Sequence, residues 1–477
     1  MTDAPSYPYR YERTSTIQAL RDRFEELEAG GESGFKTSVA GRIKTTREHG
    51  KLAFADIEDS SGRFQLFARL EVLGEGAMAD FVALTIGDIV GAEGEVVKTR
   101  RGELSLLVTS VTMLAKCSRS MPEKWHGVTD VETRYRQRYL DLLSNPRARR
   151  AVVARSAANG AIRSFLEDRG FIEVETPLLQ PIAGGAVARP FVTHHNALDV
   201  DLYLRIAPEL YLKRLLIGGL ERVYELNRSF RNEGVSARHN PEFTMLEAYE
   251  AYVDYDETMA LVEDLVREIA DAVAATATDA EEGESDYQLP DEPFRRVTMF
   301  EAIYEATGKN VADMWDPADP APLLAMAADL GVEIEAGATA GKIVAEVFEA
   351  RAEKELSAPT FVVGFPKEVS PLAKDHRTIP GFTEQADLVI AGVEIAPIYS
   401  ELNDPDEQER RFAQQASARA QGDEEAQLPD REFVEALRYG MPPAGGFGLG
   451  VDRLLTILLG APSLREVILF PTLKPEA

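Results

Sequence analysis

RVYELNRSFRNE (222–233), GVSARHNP (234–241) and EFTMLEAYEAY (242–252) form one continuous stretch, and its pattern decides the architecture of the larger part of this chain. Side chains alternate faces along a strand. In the first run Arg231 and Glu233 therefore share one face, and Tyr224, Leu226 and Phe230 the other. In the third run Phe243, Glu247 and Tyr249 share a face. Paired antiparallel across the loop, the two runs would build one floor carrying a cation, an aromatic ring and several carboxylates. A guanidinium fork suits a phosphate or a carboxylate, and an aromatic ring can stack on a purine. An isolated Arg-x-Glu would read as a surface hairpin with ordinary salt bridges; a string of this length does not. A second string, GGFGLGVDRLL (445–455), has glycines where a backbone must turn tightly or approach a ligand closely, then enters a helix with Arg453 in its first turn. Helix N-termini attract anions. Glycine-rich packing of a strand on a helix is the plainer reading of such a string alone, and its coupling to the first string outweighs it.

Outward from these strings the chain divides. Residues 14–30 read as a short helix, with Ile17, Leu20, Phe24 and Leu27 at helical spacing before Gly30-Gly31. Five β-type runs follow, FKTSVAGRI, KLAFADIED, GRFQLFARL, DIVGAEGEVVKT and ELSLLVTSVTML. Short strands punctuated by turn residues in this number suit a small OB-fold barrel. The expected organisation is an N-terminal arm and helix at 1–34, the barrel at 35–117, a polar arginine-rich linker at 118–145, and a mixed α and β domain at 146–477. Within the last, a helix is expected at 150–170, strands around 202–207, 222–233 and 242–252, and helices near 256–275 and 321–356. Strands are expected again over 360–402, with a helix over 408–438. The acidic segment 276–292 lacks apolar periodicity and reads as an exposed loop. A helical insertion is expected at about 257–358.

Composition narrows the class. The 477 residues are 44% hydrophobic, enough for a sizeable core, and no apolar run approaches the length of a membrane span. The N-terminus, MTDAPSYPYRYERTST, has no apolar leader stretch, and the single cysteine, Cys117, excludes an internal disulfide or a cysteine-rich zinc site. A soluble, cytoplasmic protein is expected. The formal charge of −28 taken alone argues against a nucleic-acid partner. That charge is uneven: acidic residues crowd into 279–291 and 404–409, basic ones into 36–51, 98–101 and 147–150. The sum therefore does not decide the partner.

FRNEG with its RHNPEF loop resembles motif 2 of the class II aminoacyl-tRNA synthetases, GLGVDR resembles motif 3, and FIEVETP (171–177) resembles motif 1, which forms the dimer interface in that class. RIAPELYLKR (205–214), GGAVARPF (184–191), HHNALD (194–199) and YSELNDP (399–405) look like the bacterial lysyl-tRNA synthetases, class IIb, and the likeness runs from YPYRYERT (7–14) to the C-terminal tail. The fold this implies is α+β, with an N-terminal OB-fold anticodon-binding domain followed by a class II catalytic domain, an antiparallel sheet flanked by helices. The activity it implies is a homodimeric lysine–tRNA ligase, using ATP, L-lysine, tRNA(Lys) and Mg²⁺.

The resemblance also assigns roles. Arg231 would hold the α-phosphate of ATP and the amino-acid carboxylate, Phe243 would stack on adenine, Glu233 would complete the nucleotide site, Arg238 and His239 would meet the outer phosphates, and Arg453 would clamp the γ-phosphate. Asp387 and Glu394 fall on the family's magnesium positions, Asp387 standing where many relatives have glutamate. Glu209, Glu247 and Glu401, with Tyr249 and Tyr399, match the lysine pocket, and Gly185 would offer its carbonyl to the α-amino group. Several carboxylates around one site suit a substrate with two amino groups; an aspartate-type relative would need a cation at Glu401. Arg47, Phe54 and Gln65 match anticodon-reading positions, although strand patterning alone would place Phe54 in the barrel core. The chain departs from the family at Pro397-Ile398, where a small polar residue and glycine are usual. Proline removes a side-chain contact to the substrate carboxylate and a backbone donor. Glu394 and Glu401 have opposite strand parity, so a bulge between them is expected, with Pro397 well placed for it. The rival readings are an aspartate- or asparagine-type ligase, an enzyme that lysylates a protein, and a catalytically inactive paralogue acting in RNA binding or regulation. The pocket charge, the N-terminal barrel and the retained arginines disfavour them in turn.

Overall fold

Alternating apolar and polar residues build the N-terminal strands, and turn glycines separate them. The computed structural model describes residues 7–121, 127–186, 188–277, 287–420 and 428–475. Two units divide at Gly127. In the first, α1 (Ile17–Phe24) is capped by Thr16, whose hydroxyl accepts from Ala19 N–H, and buries Ile17 and Leu20. It stops earlier than the expected residue 30, because the chain turns through Leu27 and Gly31. Strands β1 (Glu32–His49), β2 (Leu52–Glu58), β3 (Arg63–Arg69), β4 (Ile89–Lys98) and β5 (Leu104–Ala115) close a barrel in the order β1-β2-β3-β5-β4. Ala53, Ala55, Ile57, Leu66, Val90 and Leu106 fill it. A helix that sequence reasoning missed, α2 (Leu70–Val82), lies between β3 and β4 and adds Met78 and Phe81 to that core. Gly74, at φ 77°, kinks it, which breaks the helical period in the sequence.

The second unit begins with a correction. Residues expected to be a linker form α3 (Val131–Arg136) and α4 (Arg138–Ser144). Their arginines are structural. Arg138 is fully buried, pairs with Asp141 at 2.8 Å and donates from Nε to the Leu469 carbonyl at 2.9 Å. Arg134 reaches Glu466 at 2.7 Å. α5 (Pro146–Glu167) follows, with Asn145 as its cap and proline in its first turn.

The remaining elements are β6 (Ile172–Glu173), β7 (Leu179–Gln180), β8 (Val192–His195), β9 (Val200–Leu204), α6 (Glu209–Ile217), β10 (Arg222–Phe230), β11 (Glu242–Ala251), α7 (Tyr255–Ala274), β12 (Arg295–Thr298), α8 (Met299–Thr307), α9 (Ala321–Asp329), α10 (Ala340–Val347), β13 (Thr360–Pro366), β14 (Phe382–Ile390), β15 (Val393–Ser400), α11 (Pro405–Ala420), α12 (Arg431–Leu437), β16 (Ala444–Gly450), α13 (Val451–Leu458) and α14 (Leu464–Val467). Eight strands make one sheet in the order β12-β13-β14-β15-β16-β11-β10-β6, and β7-β9-β8 make a small second sheet. The large sheet is antiparallel except at its two ends, β12–β13 and β10–β6. One face is apolar: Tyr224, Leu246, Ala248, Leu388, Ile398 and Phe447 pack against α5, α7 and α13.

Several expected boundaries move. The stretch 321–356 is not one helix: positive φ at Gly331 and Gly337 separates α9 from α10, and a π turn at Phe348–Ala352 follows. The expected helical insertion at 257–358 is not purely helical either. α7 belongs to the main core, β12 joins the large sheet, and α8 to α10 gather a separate cluster around Ile303, Leu323 and Ile343. Of the acidic segment 276–292, residues 278–286 lie outside the described residues. Tyr287 beyond them is pinned, its N–H donating to Leu458 O and its hydroxyl to Ser357 O, both at 3.1 Å. The expected helix 408–438 is two helices, α11 and α12. Among the described residues no helix is long and apolar enough to cross a membrane.

Without Arg138, Asp141 keeps only Arg134 and Asn145, and the carbonyls of Arg465 and Leu469 lose their buried donor; each buried group left unsatisfied costs about 1–3 kcal/mol. Arg138→Ala should therefore lower the denaturation midpoint of the second unit, followed by tryptophan fluorescence in urea, and leave the barrel's transition where it is.

Candidate functional site

The polar face of the large sheet is built by strand register. β10 and β11 pair with Ser229 opposite Phe243 and Glu225 opposite Glu247. β11 and β16 pair with Glu247 opposite Gly448 and Tyr249 opposite Gly446. Phe243, Met245, Glu247 and Tyr249 thus point away from the core that holds Leu246 and Ala248. The shared floor expected from the sequence exists, with one adjustment: β10 ends at Phe230, so Arg231 and Glu233 lie in the turn beyond it. The glycines of β16 make room for side chains rather than only for backbone. A Cβ at Gly446 would collide with the Glu401 carboxylate and stand 2.5 Å from the Tyr249 ring.

Arginines converge at one end of this floor. A cleft there is lined by Arg231, Glu233, Arg238, His239, Phe243 and Arg453, and also by Glu394 and Pro397. Arg231 carries its guanidinium 5.1 Å from the Phe243 ring centre, and its Nε is buried without a hydrogen-bond partner. Desolvation lowers the Arg231 pKa, with Glu233 and Glu394 opposing. Arg453 donates from Nη1 to the Glu394 carbonyl at 3.0 Å, and its Nη2 faces His239 Nε2 at 3.4 Å. A guanidinium cannot accept, so Nε2 is the accepting nitrogen of His239, and Nδ1–H is left to donate to Ser236 Oγ at 2.9 Å. Desolvation and the charge of Arg453 lower the His239 pKa, which keeps the ring neutral. The helix carrying Arg453 is anchored through buried Asp452, which accepts from Thr244 N–H at 2.8 Å and from Arg155 of α5.

At the other end lies a cluster of acidic and tyrosine side chains withdrawn from solvent. Glu209, Glu247, Tyr249 and Glu401 are buried there, and Tyr399 is half-buried beside them. Gly185, at φ 88°, approaches this group: a Cβ on it would stand 3.1 Å from that of Glu209. Tyr249 donates its hydroxyl to Glu247 at 3.1 Å. Burial raises Glu247 well above the usual carboxylate range, with the charge of Glu209 adding to it. Burial pushes Glu401 up to about 7, although Lys213 pulls the other way. Lys213 was not singled out from the sequence. It is fully buried, and its Nζ lies 2.6 Å from Glu209 Oε1 and 2.5 Å from Glu401 Oε2. The i,i+4 spacing of Glu209 and Lys213 in PELYLKR was the available signal.

Between the two ends stand the candidate metal ligands. Asp387 accepts from Gln385 Nε2 at 3.0 Å, and burial followed by the charge of Glu394 raises its pKa well above the usual range. Glu394 reaches the same side through a bulge: register shifts between Leu388 and Val389, where Ile395 is the extra residue on β15. The bulge is therefore real but not at Pro397, which sits in regular register opposite Asp387, at the position where pairing of β15 to β16 ends. A missing N–H is tolerated at such a position. Sequence reasoning also missed Glu349 and Glu353, both raised chiefly by burial; Glu353 Oε1 accepts from Glu394 N–H at 3.0 Å. They sit in and just after the π turn, where EVFEARAEKE reads as the solvated face of a regular helix.

On the barrel, Arg47 pairs with Phe54 across β1 and β2, and Gln65 pairs with Asp56 across β2 and β3. Arg47 thus lies inside β1. All three belong to the outward side of their strands, since Ala53, Ala55, Ile57, Phe64 and Leu66 alternate inward, with Arg47 exposed, Phe54 half-buried and Gln65 buried. Phe54 is therefore not a core residue; it stacks on Phe67 with ring centres 4.9 Å apart and planes 2° from parallel. Arg47 approaches Asp56 at 3.5 Å, and Ser105 Oγ donates to Gln65 Oε1 at 3.0 Å.

With this geometry in hand, the chain was compared with known proteins. A family model described as tRNA synthetases class II (D, K and N) matches residues 130–474, and one described as an OB-fold nucleic acid binding domain matches 37–114. The chain belongs to the class II tRNA synthetases. Relatives named lysine–tRNA ligase include those of Moorella thermoacetica, 52% identical over 98% of this chain and 93% of the relative, and Carboxydothermus hydrogenoformans, 51% identical over 98% and 94%. The Gloeobacter violaceus protein of the same name is 48% identical over 99% and 95%.

In this synthetase a replacement at Gly446 has a direct steric consequence among the buried acidic groups, because Glu401 and Tyr249 would have to move. Forcing a methyl group into a filled site costs about 1–3 kcal/mol. Gly446→Ala should lower the urea midpoint of the second unit by a corresponding amount; an unchanged midpoint would mean that Glu401 and Tyr249 move aside freely.

Proposed function

We propose that this chain is a lysine–tRNA ligase, which joins L-lysine to ATP as lysyl-adenylate, releasing pyrophosphate, and then transfers the lysyl group to the 3′ end of tRNA(Lys). The observation that carries the reading is the pairing of a cleft lined by three arginines with a group of three buried glutamates beside the same sheet face. An amino acid with two ammonium groups complements that pocket, and an acidic amino acid does not. The names of the relatives agree. Among the rival readings, the inactive paralogue finds no support in a site where Arg231, Arg453 and both candidate metal carboxylates are in place.

In this reading Glu401 and Tyr249 receive the side-chain ammonium, and Glu247, Glu209 and the Gly185 carbonyl receive the α-ammonium. Arg231, between pocket and cleft, holds the substrate carboxylate against the α-phosphate, with Phe243 under the adenine. Its unpartnered Nε is a donor awaiting an acceptor. Arg238, neutral His239 and Arg453 receive the outer phosphates, and Glu233 completes the nucleotide site. Attack by the lysine carboxylate on the α-phosphorus needs no protein nucleophile; positioning and cationic stabilisation of the developing charge carry it. Asp387 and Glu394 fit Mg²⁺. Among the described residues no cluster of three or more ligating side chains could hold a metal alone. Two carboxylates suit an ion that completes its shell with phosphate oxygens and water. When bound, it would neutralise phosphate charge. Pro397 offers no donor to the lysine carboxylate, which leaves that contact to Arg231.

On the barrel, Phe54 would stack on an anticodon base while Arg47 and Gln65 read base edges. Exposed Ile172, Leu178, Leu179 and Val192 suit the interface of a homodimer. The cytoplasm is the expected compartment.

The test is ATP–pyrophosphate exchange with each of the twenty amino acids and Mg²⁺, without tRNA. Exchange with lysine alone is expected; exchange with another amino acid, or with none, overturns the reading. Charge-assisted hydrogen bonds are worth about 1.5–3 kcal/mol, so Glu401→Gln should raise the lysine KM about 10- to 150-fold and leave the ATP KM near its original value. Burial holds Glu401 near 7 in the empty pocket. The lysine ammonium binds the carboxylate form, so protons compete with substrate below that value. Lysine KM should rise as pH falls through about 7, by up to about tenfold per unit for each proton displaced, and steady-state kinetics between pH 5.5 and 8.5 would read it.

A further inference from the structure

We propose that Lys213 is a resident counter-cation of the amino-acid pocket, a positioning residue that keeps Glu209 and Glu401 ionised and aimed at the two ammonium groups of the substrate. The inference rests on the lysine reading above and deepens it.

The geometry is specific. Lys213 arises from α6 one turn after Glu209 and meets Glu401, the residue just after β15, so a single ammonium links a helix to the end of a central strand. Because both carboxylates touch the same nitrogen, their nearest oxygens stand within about 5 Å of each other. Two buried carboxylates that close cannot both stay ionised without a cation between them. Among the described residues neither Glu401 oxygen has a conventional hydrogen-bond donor, so Lys213 is the group that meets it. Lys213 is fully buried on a helix whose Leu210, Leu212 and Leu216 are packed in a separate apolar cluster. It is therefore part of the wall and not a mobile tail.

The charge count gives this a function. With Glu209, Glu247 and Glu401 ionised, Lys213 compensates one of three carboxylates and leaves two. A substrate with two ammonium groups balances that remainder. Without Lys213 the pocket would hold a proton in its place, and a neutral carboxyl group is a much weaker partner for an ammonium than a carboxylate. The other groups facing Glu401 do not substitute for it: Tyr249 and Glu247 come from β11, Tyr399 from β15 itself, and β16 presents Gly446. The nearby Lys374 is turned to Asn403 Oδ1 at 2.9 Å.

The experiment is steady-state ATP–pyrophosphate exchange by the full chain and its Lys213→Met variant from pH 6 to 9.5, with folding checked by thermal melting. The neutral, near-isosteric side chain should raise the lysine KM at pH 7 by tenfold or more, keep the ATP KM within about twofold, and move the pH at which lysine KM levels off upward by at least one unit, one unit being a tenfold change in the ionised fraction. Recovery at high pH is the signature, because a merely structural defect would not be repaired by alkali. A lysine KM that does not change, or that rises without any pH recovery, overturns the proposal. If Lys213→Met does not fold, Lys213→Arg decides: wild-type lysine KM and pH profile support a requirement for charge, and a tenfold rise in KM with the profile unmoved overturns it. A wild-type chain silent with lysine would remove the pocket assignment, and this inference with it, before any variant is read.

Discussion

Every functional side chain of the larger unit depends on the two-sidedness of β11. Its even-numbered residues Leu246 and Ala248 are sealed into the core, so its odd-numbered residues Phe243, Glu247 and Tyr249 have only the other face. A slip of one residue would put a glutamate into the apolar cluster and expose a leucine. The neighbours on either side enforce the register, β10 with nine paired positions and β16 with seven. Buried Asp452 adds a lock from outside the sheet, joining β11 through Thr244 to the helices that carry Arg453 and Arg155. The floor shared by cleft and pocket is thus set by backbone pairing, while Arg231, Glu233, Arg238 and His239 are presented by the loop between β10 and β11.

That arrangement concentrates unfavourable charge. Carboxylates withdrawn from water are costly unless paired. The chain solves this differently along one face. Glu225 is neutralised outright by Arg205 at 2.6 Å, with Thr176 hydrogen-bonded to its second oxygen, and takes no part in the pocket. Glu209 and Glu401 share one lysine. Glu247 has the Tyr249 hydroxyl. The face grades from a finished ion pair to groups left incomplete, and the incomplete ones line the pocket.

How much of this was legible depended on whether a residue's role followed from period or from tertiary contact. The floor of β10 and β11 followed from period, as did the five barrel strands. The helix α2 did not, because Gly74 interrupts its pattern. The helices at 131–144 looked like a linker because their arginines seemed solvated, and only the carbonyls of residues 465–469 reveal why they are buried. Parity implied the bulge in β15, but placing it needed the partner strand, which shows Ile395 rather than Pro397 as the extra residue. Patterning put Phe54 in the core; the inward alanines on either side of it place it outside. Glu349 and Glu353 were invisible as site residues because a charged side chain on a helix is usually solvated, and for Lys213 the only local signal was its i,i+4 spacing from Glu209, which surface pairs share. The assignments of role to Arg47, Phe54, Gln65 and the cleft residues came from family likeness, not from pattern.

The strand order has a consequence for how the protein is made. β16 occupies the middle of the large sheet, between β15 and β11, yet it is the last strand synthesised. Domains emerge N-terminal end first during synthesis. The barrel's strands are all translated early and can close while the rest is still being made. The larger sheet cannot: until residues 444–450 emerge, β11 and β15 present two unpaired inner edges to the cell, with the apolar side of each strand half covered. Nascent chains of this protein therefore pass through a stage at which the barrel strands are complete and the large sheet is open, until the glycine-rich strand joins β11 to β15.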